Sequence, residues 1–216
     1  MGHPLAAGEL TRLAARAHRL VHDGRRALLG IVGPPGAGKS TRVQALLADP
    51  LLAGLGDAVA HVPMDGFHLA DVQLAALRRL DRKGAPDTFD AAGYVALLRR
   101  LRLAEPDVVY APGFDRQLDQ PVAASLAVPP SARLVLTEGN YLLLDDGPWA
   151  GVRGLLDEVW YVDVPDAVRV ARLVARHQRY GRSGAQAADW VAAVDEPNAA
   201  RVRATRDRAD LVVALP

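Results

Sequence analysis

Hydrophobic positions along this chain fall into two alternating patterns. Short apolar runs over Ala27–Val32, 57–62, 107–110, 133–137, Glu158–Asp163 and 210–214 read as strands, several of them buried. Between them, apolar residues recurring every three or four positions predict helices over 41–47, 70–80, Ala91–Leu103, 166–180 and 186–194. Residues 112–130 carry four prolines and predict a loop over the active face. Strands separated by helices predict one α/β domain over 1–216. Its sheet is mostly parallel, covered by helices on both faces, with ligands at the carboxyl ends of the strands.

The first segment allows two readings. Residues 5–21 are rich in Ala and Arg, as organellar transit peptides are. Leu10, Leu13, Ala14, Ala17, Leu20 and Val21 nevertheless recur at helical spacing, with Glu9 and Asp23 flanking, which favours a docked amphipathic helix.

Composition narrows the partners. A length of 216 residues, half of them hydrophobic, suits one domain with a substantial core. The net charge of +1 gives no basic field for nucleic acid, and no apolar run reaches the roughly 18 residues of a membrane span. With no cysteine in the chain, disulfides and thiolate zinc sites are excluded, which fits a reducing cytoplasm; a monomer or homodimer is a separate expectation.

The chemistry concentrates in residues 33–41, G-P-P-G-A-G-K-S-T, which match G-x-x-x-x-G-K-[ST]. Gly33, Gly38, Lys39 and Ser40 hold the defining positions, after a buried strand and before a helix. Gly36 and Gly38 let the backbone curl, so that amides around Gly36, Ala37, Gly38, Lys39, Ser40 and Thr41 point at phosphate oxygens. Lys39 and Lys83 are the only lysines among 26 lysine and arginine residues. Keeping an ammonium at 39 in so arginine-rich a chain implies that a compact point charge is needed there. Lys39 would reach the β- and γ-phosphates of ATP, and the Ser40 hydroxyl would hold Mg²⁺.

Three further segments fall at the same end of the expected sheet. M-D-G-F-H at 64–68 follows the second strand, and Asp65 there reads either as the group that meets an attacking hydroxyl or as a plain Asp-Gly turn. Glu138 ends an apolar strand, as a Walker-B acid does, and reads as the magnesium partner of Ser40. Arg169, Arg172, Arg176, Arg179 and Arg182 recur along one helix into a glycine-bearing turn, and suggest an arginine-rich lid at about 176–188. His61, Trp160 and Trp190 read as packed residues.

Taken together, the P-loop, M-D-G-F-H, R-K-G-A-P-D-T-F-D at 82–90, T-E-G-N-Y at 137–141 and the arginine-rich helix resemble the phosphoribulokinase/uridine kinase family of P-loop kinases, which includes bacterial pantothenate kinase. The resemblance runs in order over most of 27–214. It implies a three-layer P-loop NTPase fold and a small-molecule kinase using Mg-ATP. Asp65 is then the base, Glu138 lies near the metal and Arg172 or Arg176 sits in the lid. Residues 110–116, with Phe114 and Arg116, together with His68 and Lys83, would meet the acceptor. Gly84 stands where uridine kinases have an Asp that grips the ribose diol, which weakens a nucleoside acceptor. The chain is most similar to a bacterial branch described as nucleoside/nucleotide kinase-like or fructose-transport-associated. Arg82 and Lys83 read equally as contacts for an anionic group on the acceptor or as an exposed loop.

Two other readings remain. A nucleoside monophosphate kinase would use Arg82, Lys83 and Arg116 on the acceptor phosphate, and a regulator would bind ATP without transferring it. A GTPase is excluded because N-K-x-D cannot occur with lysine only at 39 and 83.

Overall fold

The computed structural model describes residues 7–21 and 25–214; Leu5, Ala6 and Asp23 of the expected first helix lie outside them. Among the described residues the strands are β1 (Ala27–Val32), β2 (Val59–His61), β3 (Val109–Asp115), β4 (Gln120–Val128), β5 (Leu134–Gly139), β6 (Glu158–Asp163) and β7 (Leu211–Ala214). The α-helices are α1 (Ala7–Arg19), α2 (Lys39–Ala48), α3 (Pro50–Ala53), α4 (Asp71–Ala76), α5 (Ala91–Leu103), α6 (Asp166–Arg179), α7 (Gly184–Trp190) and α8 (Glu196–Arg203).

Five strands form a parallel sheet in the order β2-β5-β1-β6-β7. Successive side chains of β1 point to opposite faces, and both faces are covered. Leu28 and Val32 pack with Tyr94, Leu98 and Leu101 of α5. Ala27, Leu29 and Ile31 pack with Leu13, Ala14 and Ala17 of α1 and with Val43 and Leu46 of α2. The fold is therefore α/β with helices on both sides of a parallel sheet. The carboxyl ends of β1, β2 and β5 lead into residues 33–38, 64–67 and 140–141.

The proline-rich stretch is not a loop. It forms an antiparallel hairpin of β3 and β4, pairing Val109 with Val128 and Asp115 with Gln120. Proline signals misled here because a two-stranded ladder leaves one edge of each strand unpaired, where a missing N–H costs nothing. Pro112 sits at the register shift between Ala111 and Gly113, and Pro121 opposite Phe114.

The helix expected over 70–80 ends at Ala76. Arg78 adopts a left-handed φ of 56° and the Arg79 N–H bonds back to the Leu74 carbonyl at 2.8 Å, a helix stop that normally uses glycine and so left no trace in the sequence. Past α7 the chain continues through a π turn, Val191–Asp195, into α8. Pro197 lacks the N–H that a regular α-helix would need at this point.

Gly66 fixes the hairpin to the sheet. A Cβ at this position would lie 2.0 Å from the Pro112 carbonyl oxygen, so only glycine lets the 64–67 turn and the hairpin backbone meet. Gly66→Ala is expected to cost about 2–3 kcal/mol, as overpacking does. Urea unfolding would measure it.

Candidate active site

α6 crosses directly over the phosphate loop. Gly36, at φ 78°, has the Arg169 carbonyl 2.7 Å from where its Cβ would be; Gly38, at φ 86°, has Arg172 Nη1 3.6 Å from the same point. The close approach that glycine permits thus sets one arginine over the loop. Lys39 is buried, its Nζ donating to the Gly33 carbonyl at 2.9 Å, the Pro34 carbonyl at 3.3 Å and Asn140 Oδ1 at 2.5 Å. Burial pulls its ammonium down to about 8, against the attraction of Glu138 and Asp65; Arg176 and Arg116 push the same way as burial.

Glu138, 3% exposed, accepts a hydrogen bond from Ser40 Oγ at 2.7 Å. Burial, and after it the Asp65 charge, raises its carboxyl above the ordinary carboxylate range, with Lys39 and Ser40 opposing. A desolvated carboxylate beside a hydroxyl is a site that a cation would relieve.

Asp65 lies in the turn after β2, its Oδ2 3.3 Å from Arg116 Nη2. His68 Nδ1 lies 2.8 Å from the Asp65 carbonyl. The His68 ring packs against Phe89 and Phe114, with centroids 4.0 and 4.8 Å apart. Lys83 Nζ lies 6.0 Å from the Phe114 ring centre, held between Asp71 Oδ1 at 2.8 Å and Asp119 Oδ2 at 2.7 Å. Asp65, His68, Lys83, Phe114 and Arg116 are therefore gathered in one place, beside Lys39 and Glu138.

The arginines of α6 separate by environment. Arg169 is fully buried and tied to Asp166 at 3.0 Å, Glu196 at 2.5 Å and the Pro35 carbonyl at 3.5 Å, so it braces the loop from behind. Arg182, in the turn after α6, stacks 3.8 Å over Trp190. Arg172 reaches over the loop at Gly38, and the Arg176 charge acts on Lys39. Trp160 is core, at 1% exposed; Trp190 is not, since it is half-buried between Arg182 and His177, on a short helix outside the sheet.

No protein-family model matches this sequence. "Putative uridine kinase C227.14" of Schizosaccharomyces pombe is 37% identical over 170 residues, 75% of this chain and 71% of that protein. The "ATP-dependent kinase-like protein notR'" of Aspergillus versicolor is 41% identical over 125 residues, 55% of this chain and 73% of that protein. Among solved structures, a "putative fructose transport system kinase" from Silicibacter sp. TM1040 superposes with a TM-score of 0.85 at 35% identity, covering 94% of this chain and 98% of that one. The chain belongs to the uridine kinase-like family of P-loop kinases.

For a uridine kinase-like protein, two contacts are notable that the sequence did not signal. Asn140 holds Lys39, although only its place in T-E-G-N-Y drew attention to it. The Tyr141 hydroxyl bonds the Gly84 carbonyl, joining the end of β5 to the 82–90 stretch. His61 lies on β2 with its Nε2 buried and unpartnered, and burial drives it down to about 4, so it stays neutral. The kinase relatives bring ATP as the nucleotide, and Ser40 with Glu138 fits Mg²⁺, which takes few protein oxygens and keeps waters and phosphates. No helix among the described residues is long and apolar enough to cross a membrane.

Proposed function

We propose that this protein transfers the γ-phosphoryl group of ATP to a hydroxyl of a small metabolite. The observation that supports it best is the convergence of Lys39, Glu138, Asp65 and Arg116 at the carboxyl ends of three neighbouring strands. Amides of 33–41 and the Lys39 ammonium bind the phosphates, and Arg172 covers them together with Arg176 at the start of a lid over about 176–188. Ser40 and Glu138 would hold Mg²⁺, which neutralises phosphate charge when bound. Asp65 accepts the hydrogen bond of the acceptor hydroxyl and aims its oxygen at the γ-phosphorus. The new O–P bond forms as the bond to the β-phosphate oxygen breaks, ADP leaves, and the hydroxyl proton passes to Asp65 and then to water.

An acceptor panel starts with uridine and fructose, the compounds that occur in two relatives' names. ADP release on adding an acceptor tests the reading; hydrolysis of ATP that ignores every acceptor opposes it.

Binding of Mg-ATP should depend on pH in a set direction. The free Lys39 ammonium titrates near 8, and bound phosphate favours its charged form. Affinity is expected to be flat below pH 8. Above it, affinity falls by up to about tenfold per unit, with proton uptake on binding. Calorimetry in buffers of different ionisation enthalpy would read both.

A further inference from the structure

The two ends of the site treat positive charge differently. Over the phosphate loop, Arg172 and Arg176 make no ion pair among the described residues. Arg42, 7% exposed on α2, leaves Nε and Nη1 without a partner, and its nearest charges are Glu9 and Arg172. Unpaired guanidinium groups next to a P-loop are what a polyanion requires.

At the acceptor end every cation of segments 79–84 and 115–120 is already matched. Lys83 donates hydrogen bonds to Asp119 Oδ2 at 2.7 Å and to the Asp119 carbonyl at 2.6 Å, and forms an ion pair with Asp71 at 2.8 Å without hydrogen-bond geometry. Arg116 meets Asp65 at 3.3 Å. Arg82 meets Asp87 at 2.9 Å and Asp81 at 3.3 Å, and Arg79 meets Asp87 at 3.4 Å. Arg78, just before them, is solvent-exposed. Four cations (Arg79, Arg82, Lys83, Arg116) thus face five carboxylates (Asp65, Asp71, Asp81, Asp87, Asp119). Burial holds the His68 imidazole below its ordinary value, outweighing Asp65, so it adds no charge. Lys83 is only 14% exposed at its side chain, and turning it toward an anionic ligand would give up its pairs with Asp71 and Asp119 that join α4 to the hairpin tip. The rings of His68 and Phe114, tilted 47° to each other, bring apolar surface next to the polar pair Asp65 and Arg116.

We infer that the acceptor is an uncharged polyhydroxy compound and not one bearing a phosphate or carboxylate, with Lys83 serving as a strap between α4 and the hairpin tip. The inference rests on the phosphotransferase reading above and selects the substrate class within it. It also disfavours a nucleoside monophosphate as acceptor.

The test uses the full chain and matched pairs: fructose with fructose 6-phosphate, uridine with uridine monophosphate, panthenol with pantothenate. In whichever pair is turned over, kcat/KM is expected to be at least about tenfold higher for the uncharged member; preference for the charged member overturns the inference. Lys83→Met should raise KM for both members alike and speed amide exchange at 116–120, whereas a loss confined to the charged member overturns the strap. A second arm needs no turnover. Inorganic phosphate titrated into protein holding Mg²⁺ and a non-hydrolysable ATP analogue should leave the amide signals of Lys83, Phe114, Arg116 and Asp119 in place. Saturable shifts there contradict the inference. If no acceptor at all is phosphorylated, the phosphotransferase reading fails, while the phosphate titration still decides the charge preference of this end.

Discussion

Lys39→Met is expected to lower turnover on the order of 10²–10³-fold or more while the fold stays intact, because it removes a charge aimed at the transferring group. Lys39→Arg should do nearly as badly. The ammonium sits among the Gly33 and Pro34 carbonyls and Asn140 at 2.9, 3.3 and 2.5 Å, a pocket cut for a compact tetrahedral donor. A planar fork placed there would lose the carbonyls or push the loop open. Steady-state kinetics with far-ultraviolet circular dichroism on the same samples separates lost chemistry from lost structure. Near-normal rates in both variants would remove Lys39 from the mechanism.

Asp65→Asn should reduce kcat on the order of 10²–10⁴-fold and change the affinity for Mg-ATP far less. The reason is its place: Asp65 follows β2 and faces Arg116, while the phosphates are met by the amides of the loop after β1. Phosphoryl transfer has a loose transition state, so positioning of the hydroxyl outweighs proton removal. Asparagine, which keeps one hydrogen-bond acceptor, is therefore expected to retain more activity than alanine. Equal loss in the two variants would argue for proton removal instead. A weakened grip on Mg-ATP in either would place Asp65 on the donor side.

The parts of this protein that were legible in the sequence are those fixed by local rules. The β1 run, the glycines and Lys39 of the loop and α5 each depend on neighbours a few residues away, and the pattern of 33–41 carries its geometry with it. The hairpin was hidden because prolines speak only of the missing N–H, not of whether that N–H would have had a partner. The end of α4 was hidden because an arginine, Arg78, fills a left-handed position usually held by glycine.

Side-chain partnerships across the fold were the least readable. Lys83 reads along the chain as an acceptor contact or an exposed loop, yet its carboxylates come from Asp71 and from Asp119, 36 residues away on the hairpin tip. Five arginines of one helical series looked alike by spacing, and only packing distinguishes Arg169, buried against the loop, from Arg172 above it. Periodicity gives a helix face; it does not say what lies against it.

Phosphorus NMR of purified protein with Mg-ATP and each uncharged acceptor reads the central chemistry directly. The account predicts a new phosphomonoester resonance growing in step with ADP, absent in Lys39→Met. ADP accompanied only by inorganic phosphate, or no change in ATP across the whole panel, would contradict it.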